Sequence, residues 1–498
     1  MKLKLLKSLA IFAALFVFLP FASFAQDARA GKLNLEPYIY KTFDGRDFPA
    51  ELGKLWVREN RDGNSNRLIQ LAFVRLKSTA VKPGSPIVFL AGGPGAPSIG
   101  MGRVPVYFSL FDKLRAVSDV ILPDQRGLGM SSPNLDCPVK PVLADVFETA
   151  EKWQRTYTDN SRICAEYWRK QGVEISAYTN DASADDLNDL RAALGAERIS
   201  LIGHSYGTML AQAAVRRHGK HLDRVVFAAV EGQDNLVTLP SVWDLIIKKL
   251  SYFASEDTAI NKLVPDMEAL YRRVLDKVER NPVTLTVTDA QTKRPVNIRV
   301  GKIGLQWLVR HNTTDGRFYS LLPALFYTID QGDYSLLTRY IEPMYNGFQG
   351  RSPMANAVDC SVGWSAERLI QAGRETPHAL FSNVNLTWTA EFCKTVGVSE
   401  SGSTSQPRLW NTLPTLFISG TLDTNTPPFQ AEEVRWGFPN SVHLIVENGG
   451  HETLPSKEVQ SVVVDFFKGQ DVRGRTVSFD KPKCLSVEEA KTKNPGGR

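Results

Sequence analysis

Residues 199–213 read ISLIGHSYGTMLAQA. An apolar run typical of a buried strand comes first, and small apolar residues suited to a helix packed on a sheet begin at Met209. Gly203 and Gly207 lie two residues on either side of Ser205, and glycines there let a strand and a helix pass close to a tight turn. The stretch predicts a strand–turn–helix unit that projects the Ser205 hydroxyl from a sheet. The alternative is a serine in an ordinary strand-to-helix turn.

Similar apolar runs recur along the chain and place this unit in a larger sheet. Strands are predicted at residues 54–58, 67–76, 86–90, 119–123, 199–203, 224–230, 414–419 and 442–446, and helices at 184–194, 209–217 and 457–467. Ser183 is a suitable N-cap for the first of these helices. Continuous apolar strands that alternate with helices predict an α/β fold with a doubly wound sheet buried on both faces.

The alternation breaks at residue 231. Helical spacing takes over at 265–278 and 302–309, with strand-like interruptions at 283–287 and 296–300. We predict a large, mainly helical cap insertion at 231–410. The sheet domain then consists of a first part, 26–230, and a second part, 411–498.

The first 25 residues predict export. The basic stretch MKLKLLK precedes an apolar run at 9–21 and the small residues of Ser23-Phe24-Ala25, which is the pattern of a signal peptide cleaved after Ala25. An uncleaved membrane anchor is the alternative, although the apolar run is short for a spanning helix. We expect a periplasmic or secreted protein with no stable membrane association after cleavage.

The net charge and the cysteine content limit the classes of partner and cofactor that we expect the protein to bind. The formal charge of +6 includes three lysines before residue 26, so the mature chain carries +3, too little to indicate a nucleic-acid partner. Five cysteines form an odd set that suits an exported protein. Proximity favours the pairs Cys137–Cys164 and Cys360–Cys393, with Cys484 unpaired. No cysteine spacing indicates a metal site, and we expect neither a metal nor a cofactor.

A serine nucleophile needs a base and an acid. His451 lies in a glycine-rich loop directly after the last strand, where its imidazole can reach back over the sheet edge. Asp423 follows the penultimate strand on the turn GTLD, where it can accept a hydrogen bond from that imidazole. The other six histidines and the nearby acids Glu432, Glu433 and Glu447 are less well placed. The alternatives are a solvent-exposed histidine at 451 and a turn-capping aspartate at 423.

Two backbone N–H groups are expected to stabilise the oxyanion of an acyl-transfer reaction. One is the amide of Tyr206, and the other comes from the loop AGGPG at 91–95, where glycines allow close approach to a substrate. This loop lacks the Lys and Ser/Thr of a P-loop and the spacing of a dinucleotide-binding fingerprint.

The motifs together resemble the proline iminopeptidase and tripeptidyl aminopeptidase group of α/β-hydrolases. The likeness rests on GGPG at 92–95, DQRG at 124–127, GHSYG at 203–207, GTLD at 420–423 and GGH at 449–451. It implies a catalytic triad of Ser205, Asp423 and His451, with Gly93 and Tyr206 as the oxyanion donors.

The resemblance also implies that Asp124 and Arg126 are structural and that cap carboxylates hold a substrate's free amine. Glu231, at the end of the sixth strand, is a candidate for that binding, and an exposed loop acid or a helix cap is the alternative. Ala91 departs from the family pattern, which often has histidine before GGPG.

We therefore expect an exported serine hydrolase of the aminopeptidase type, acting on short peptides through an acyl-enzyme. A carboxylesterase or another small-molecule hydrolase with the same triad is the main alternative. A non-catalytic binding protein on the same scaffold is a third, and the oligomeric state is left open.

Overall fold

The computed structural model describes residues 29–492, except for gaps at 64–65, 140–142, 144, 233, 313–315, 349–350, 382–388 and 399–407. The predicted signal peptide at 1–25 lies outside the described residues. Among the helices in these described ranges, none combines the length and the hydropathy needed to cross a bilayer.

In the described part of the chain, ten strands form one sheet and two form a separate hairpin. The strands are β1 (Leu33–Lys41), β2 (Asp47–Arg58), β3 (Leu68–Leu76), β4 (Ile87–Leu90), β5 (Val120–Pro123), β6 (Ile199–His204), β7 (Leu222–Ala228), β8 (Val283–Thr288), β9 (Pro295–Val300), β10 (Thr415–Gly420), β11 (Ser441–Glu447) and β12 (Val477–Ser478). The order across the sheet is β1-β2-β3-β5-β4-β6-β7-β10-β11-β12. Seven adjacent strands run parallel to one another: β5, β4, β6, β7, β10, β11 and β12. At one side of the sheet β1, β2 and β3 form an antiparallel edge.

The α-helices lie before, between and after these strands. In chain order they are α1 (Ser98–Met101), α2 (Pro105–Leu114), α3 (Ala150–Lys170), α4 (Asn180–Ala193), α5 (Tyr206–His218), α6 (Pro240–Glu256), α7 (Thr258–Leu263), α8 (Met267–Arg280), α9 (Lys302–Asn312), α10 (Gly316–Tyr319), α11 (Leu322–Asp330), α12 (Ser335–Gly347), α13 (Pro353–Val362), α14 (Ala366–Glu375), α15 (Ala390–Val396), α16 (Pro428–Arg435), α17 (Lys457–Phe467) and α18 (Val487–Thr492). Short 3₁₀ turns lie at Ile175–Ala177 and Gly219–His221.

Strand β4 shows how the sheet is buried on both faces. Val88 and Leu90 belong to one hydrophobic cluster that includes α4 and α5. Ile87 and Phe89, which alternate with them, belong to a second cluster with α2 and α17 on the opposite face. All four side chains are at most 1% exposed, which explains why the strand is an unbroken apolar run rather than an alternating one.

The eight predicted strands and the α/β fold are confirmed, although several starts differ. β2 begins at Asp47 rather than residue 54, β7 spans Leu222–Ala228 rather than 224–230, and α5 begins at Tyr206 rather than 209. The predicted N-cap Ser183 is wrong. Helix α4 begins at Asn180, and the Thr179 hydroxyl caps it by accepting from the N–H of Ala182 at 3.1 Å. Apolar periodicity locates the buried face of a helix but not a polar first turn, so the predicted start lies four residues after the observed one.

The segment between β7 and β10 contains helices α6 to α15 and the hairpin β8–β9. It is mainly helical, as predicted. Two helices from outside this segment, α3 and α18, also pack against it. The N–H of Leu485, just before α18, donates to the carbonyl of Ser320 at 2.9 Å. The exact boundaries at 231 and 410 stay a prediction.

The predicted cysteine pairing is confirmed. Cys137–Cys164 joins the loop after β5 to α3, and Cys360–Cys393 joins α13 to α15. Cys484 is unpaired and half-buried. Cys360–Cys393 therefore lies within the helical segment, whereas Cys137–Cys164 fixes α3, which packs against that segment.

Candidate active site

Ser205 lies between β6 and α5 in a conformation that few side chains adopt, with φ +55° and ψ −126°. Such strained backbone persists only where the surroundings enforce it. A Cβ added to Gly207 would lie 2.1 Å from the carbonyl oxygen of Leu90, and one added to Gly203 would lie 2.5 Å from the carbonyl oxygen of Gly207. The two glycines therefore permit the close passage of strand and helix that the sequence predicts.

The strand order explains why distant segments meet at this turn. Leu90 of β4 pairs with Gly203 of β6, and Gly420 of β10 pairs with Val446 of β11. The loops after these parallel strands leave the same edge of the sheet. They carry Gly93, Ser205, Asp423 and His451, which the sequence separates by up to 358 positions.

His451 joins the serine and the aspartate. Its Nε2 lies 3.0 Å from Ser205 Oγ, and its Nδ1 lies 2.9 Å from Asp423 Oδ2. The structure thus brings together all three residues that the sequence predicts for a triad. The order along the hydrogen-bonded chain is serine, imidazole, carboxylate, which suits proton transfer from the hydroxyl.

The Asp423 carboxylate is completely buried and held by several donors. The N–H groups of Asn425 and Thr426 donate to Oδ1 at 2.8 and 3.0 Å, and the Thr426 hydroxyl donates to Oδ2 at 2.5 Å. These bonds fix the orientation of the carboxylate before any substrate arrives.

Burial and charge act in opposite directions on this pair. Burial alone would raise the pKa of Asp423, but the neighbouring imidazolium and the hydrogen bonds hold that pKa below its usual value. Burial likewise opposes charge on His451, yet the Asp423 carboxylate outweighs it and raises the pKa of the imidazole. The site therefore favours the imidazolium that forms when Ser205 gives up its proton.

The predicted oxyanion donors flank the nucleophile. Tyr206 is the first residue of α5, where a backbone N–H has no acceptor in a preceding turn. Gly93 has a φ of +118°, and a Cβ added to its neighbour Gly92 would lie 2.8 Å from Ser205 Cβ. The loop after β4 therefore touches the serine side chain, as close approach by glycine allows.

A cavity of about 400 Å³ opens above Ser205 and His451. Helix α9 of the insertion closes one side with Trp307, Arg310 and His311. The other lining residues come from the sheet domain: Gly92, Gly93, Ala96, Met101, His204, Asn425 and Glu452. Its volume is near the lower end of the usual range for ligand sites, roughly 300–1,000 Å³.

The α/β hydrolase fold model matches residues 85–458, three quarters of the chain. This chain belongs to the α/β hydrolase fold family. It is 25% identical over 423 residues to the putative hydrolase YuaR of Escherichia coli, covering 78% of this chain and 77% of that one. It is 27% identical over 191 residues to a tripeptidyl aminopeptidase of Streptomyces coelicolor, covering 36% and 35% of the two chains.

Solved structures are also similar to this hydrolase in fold. One is a proline iminopeptidase from Mycobacterium smegmatis, with 16% identity, a TM-score of 0.40 and coverage of 84% of this chain and 98% of that chain. Another is an esterase from Thermogutta terrifontis, with 17% identity, a TM-score of 0.38 and the same coverage.

Glu231 lies near the site of this hydrolase but not on the cavity wall described above. Its N–H donates to the Thr208 hydroxyl at 2.9 Å. Among the described residues, no donor reaches its buried Oε2. Burial, and then the nearby Asp359 carboxylate, raise the pKa of Glu231 to about 7. Asp359 itself is ion-paired with Arg351.

Glu452 is the carboxylate that does line the cavity, and the sequence interpretation did not select it. Its Oε2 accepts a short hydrogen bond from the Tyr107 hydroxyl and lies 3.7 Å from His204 Nε2. Burial would raise its pKa, but His204 and His451 keep that pKa below the usual value. Adjacency to His451 in sequence was the signal that could have found it.

Asp124 and Arg126 organise the loops beneath the site. Asp124 accepts from the N–H groups of Ile99 at 3.0 Å and Met130 at 2.9 Å. Arg126 is fully buried and binds Asp186 through two nitrogens at 2.6 and 2.8 Å. Neither lines the cavity, which agrees with the structural role that the resemblance implied.

A second serine–histidine–acid chain lies in the same sheet. His443 Nε2 lies 3.0 Å from Ser419 Oγ, and its Nδ1 lies 2.5 Å from Glu432 Oε1. Ser419 belongs to β10 and is completely buried. Glu432 is half-exposed and also binds Arg435.

Proposed function

We propose that this hydrolase is an exported serine aminopeptidase that releases residues or short peptides from free peptide N-termini. The observation that carries the proposal is the hydrogen-bonded chain from Asp423 through His451 to Ser205, which ends in the cavity. A serine hydroxyl is a poor nucleophile until a base takes its proton, and His451 Nε2 is in position to do so.

In the proposed reaction, Ser205 Oγ attacks the scissile carbonyl carbon while its proton passes to His451 Nε2. The N–H groups of Gly93 and Tyr206 stabilise the negative oxygen that forms. Breakage of the C–N bond expels the amine, which takes the proton from His451, and the acyl group stays on Ser205 as an ester. Water then attacks this ester and gives a proton to His451, which returns it to Ser205 Oγ as the acid leaves.

One carboxylate on the cavity wall, Glu452, and one buried near the site, Glu231, support a substrate with a free amine. Glu452 lines the cavity and stays ionised. Among the described residues no donor reaches the buried Oε2 of Glu231, and an ammonium group could supply one. A buried cation needs such partners, because an unpaired charge in a low-dielectric site is costly. We propose that Glu231 and Glu452 bind the amine. The likeness to a tripeptidyl aminopeptidase points in the same direction.

Two disulfides favour the exported part of the proposal. Such bonds persist in oxidising compartments and are rare in the cytosol. Fusion of residues 1–25 to a reporter that is active only outside the cytoplasm tests this part, and an inactive reporter would contradict it.

A substrate panel tests the activity. Alanyl, dialanyl and trialanyl p-nitroanilides are each prepared with a free or an acetylated N-terminus and compared with p-nitrophenyl butyrate. We expect kcat/KM for the free amines to exceed that for the acetylated compounds by at least about 100-fold, since acetylation removes a buried ion pair. Turnover of the ester alone, or indifference to acetylation, would identify an esterase instead.

Acid variants test the amine site separately from the triad. Glu231→Gln and Glu452→Gln should raise KM for free-amine substrates and reduce the preference over the acetylated forms. Glu367→Gln, at an exposed position of α14, is the matched control and should change neither. A preference that survives both substitutions would show that other groups bind the amine.

A further inference from the structure

Arg310 places a positive charge in the cavity wall. It lies in the last turn of α9, and its side chain shares the cavity with Ser205 and His451. Among the described residues that line the cavity, it is the one side chain that carries a permanent positive charge, since the other basic groups are histidines. The triad mechanism leaves this charge without a use.

The Arg310 side chain is partly buried and lies near an aromatic ring. The Arg310 guanidinium carbon lies 5.9 Å from the Trp243 ring centroid. Burial lowers the pKa of Arg310 to about 10, against the opposing effect of Glu231, so the group stays protonated at neutral pH. A charge held in such surroundings interacts strongly with an anion that enters the same cavity.

We propose that Arg310 binds a carboxylate of the substrate and thereby selects short peptides whose carboxylate lies in the same cavity as the scissile bond. This inference rests on the proposed aminopeptidase function and deepens it. The carboxylate has two possible sources, the C-terminus of a short peptide or an acidic side chain. The guanidinium fork matches either one with paired hydrogen bonds.

The size of the cavity supports short substrates. An extended chain spans at most about 3.6 Å per residue, so the carboxylate of a dipeptide or tripeptide lies within roughly 10 Å of the scissile carbonyl. In a cavity of about 400 Å³, such a carboxylate loses much of its hydration. Burying it without a partner is strongly unfavourable, and Arg310 supplies the partner.

The test measures binding without turnover. In the full-length Ser205→Ala variant, isothermal titration calorimetry compares trialanine with trialanine amide, and Ala-Glu-Ala amide with Ala-Gln-Ala amide. We expect the ligand with the additional carboxylate to bind about 10- to 100-fold more tightly in at least one pair, as for a charge-assisted hydrogen bond. The pair that shows the difference identifies the source of the carboxylate.

Variants of the arginine in this Ser205→Ala background assign the effect. Arg310→Gln should bring the affinity ratio close to 1, and Arg310→Lys should retain part of it. Arg273→Gln, an exposed arginine of α8 that pairs with Asp330, should leave the ratio unchanged. Thermal unfolding of each variant verifies folding, and the comparison of ligands on the Arg310 parent stands even where a variant fails to fold.

Equal affinities in both pairs, no detectable binding of any carboxylate ligand, or a ratio that survives in Arg310→Gln would overturn the inference. These outcomes are separable from failure of the proposed function. A wild-type protein that hydrolyses no free-amine anilide contradicts the aminopeptidase proposal, whatever the calorimetry shows. Normal hydrolysis with equal affinities contradicts only the role of Arg310.

Discussion

The sheet of this hydrolase contains two serine–histidine–carboxylate chains with similar distances. In one, His451 lies 3.0 Å from Ser205 and 2.9 Å from Asp423. In the other, His443 lies 3.0 Å from Ser419 and 2.5 Å from Glu432. Residue types and hydrogen-bond distances alone therefore do not identify which of the two serines is the nucleophile.

The surroundings of the serines do distinguish them. Ser205 sits in a strained turn beside a cavity, directly before the first residue of α5. Ser419 is the penultimate residue of a fully buried strand, where its hydroxyl is enclosed and a substrate carbonyl carbon cannot approach it. The acids differ as well, since Asp423 is buried and fixed by donors whereas Glu432 is half-exposed. We therefore expect that access to a cavity and the proposed pair of N–H donors, in addition to the hydrogen-bonded triad, make Ser205 the nucleophile.

The largest difference in activity should appear between substitutions of the two serines. Ser205→Ala should lower kcat/KM by about 10⁴- to 10⁶-fold, because removal of a triad nucleophile leaves only binding and the oxyanion donors. Ser419→Ala should leave kcat/KM within about threefold. It should instead lower the free energy of unfolding by about 1–3 kcal/mol, because a buried imidazole nitrogen loses its partner. Steady-state kinetics and thermal unfolding measure both, and a dead Ser419→Ala that still folds would remove the distinction.

The next largest difference in kcat should appear between substitutions of the two acids. Asp423→Asn should lower kcat by about 10⁴-fold, since an amide cannot hold the imidazole in the tautomer that accepts the serine proton. Glu432→Gln should change kcat little. Labelling of Ser205 with a fluorophosphonate gives an independent readout, and equal labelling rates for the two variants would contradict the assignment of Asp423.

The acidic limb of the pH–rate profile should depend on Asp423 and not on Glu432. Because Asp423 raises the pKa of His451, the base stays protonated to a higher pH, and kcat/KM should rise with pH around an apparent pKa above the usual histidine value of about 6.5. Burial lowers the pKa of His443, so Glu432→Gln should not move this limb. A limb at or below 6.5 in the wild type would contradict the expected sign.

The smallest effect concerns the threonine that supports the acid. Thr426→Val removes the hydroxyl that donates to Asp423 Oδ2 and should lower kcat about fivefold, the equivalent of one hydrogen bond. The apparent pKa of His451 should rise slightly, because the carboxylate then has one donor fewer. A loss as large as that in Asp423→Asn would mean that the threonine participates in proton transfer itself.

A site residue is predictable from the sequence when it directly follows a predicted strand along the chain. Ser205, Asp423 and His451 directly follow buried apolar runs, and parallel strands collect their carboxyl ends at one edge, so their meeting was predictable. Arg310 was not, because its position depends on how α9 packs over the sheet. Strand β1 was missed because it is a mostly exposed edge strand that contains no continuous apolar run.

The strand order also affects how the chain is made. β10 lies beside β7 in the sheet, although the whole helical segment separates them in sequence, and His451 comes after both. A ribosome therefore completes the nucleophile some 246 residues before it completes the base. A chain that crosses a membrane from its N-terminus before folding would stay inert for almost the entire passage, which would spare the compartment of synthesis from its activity.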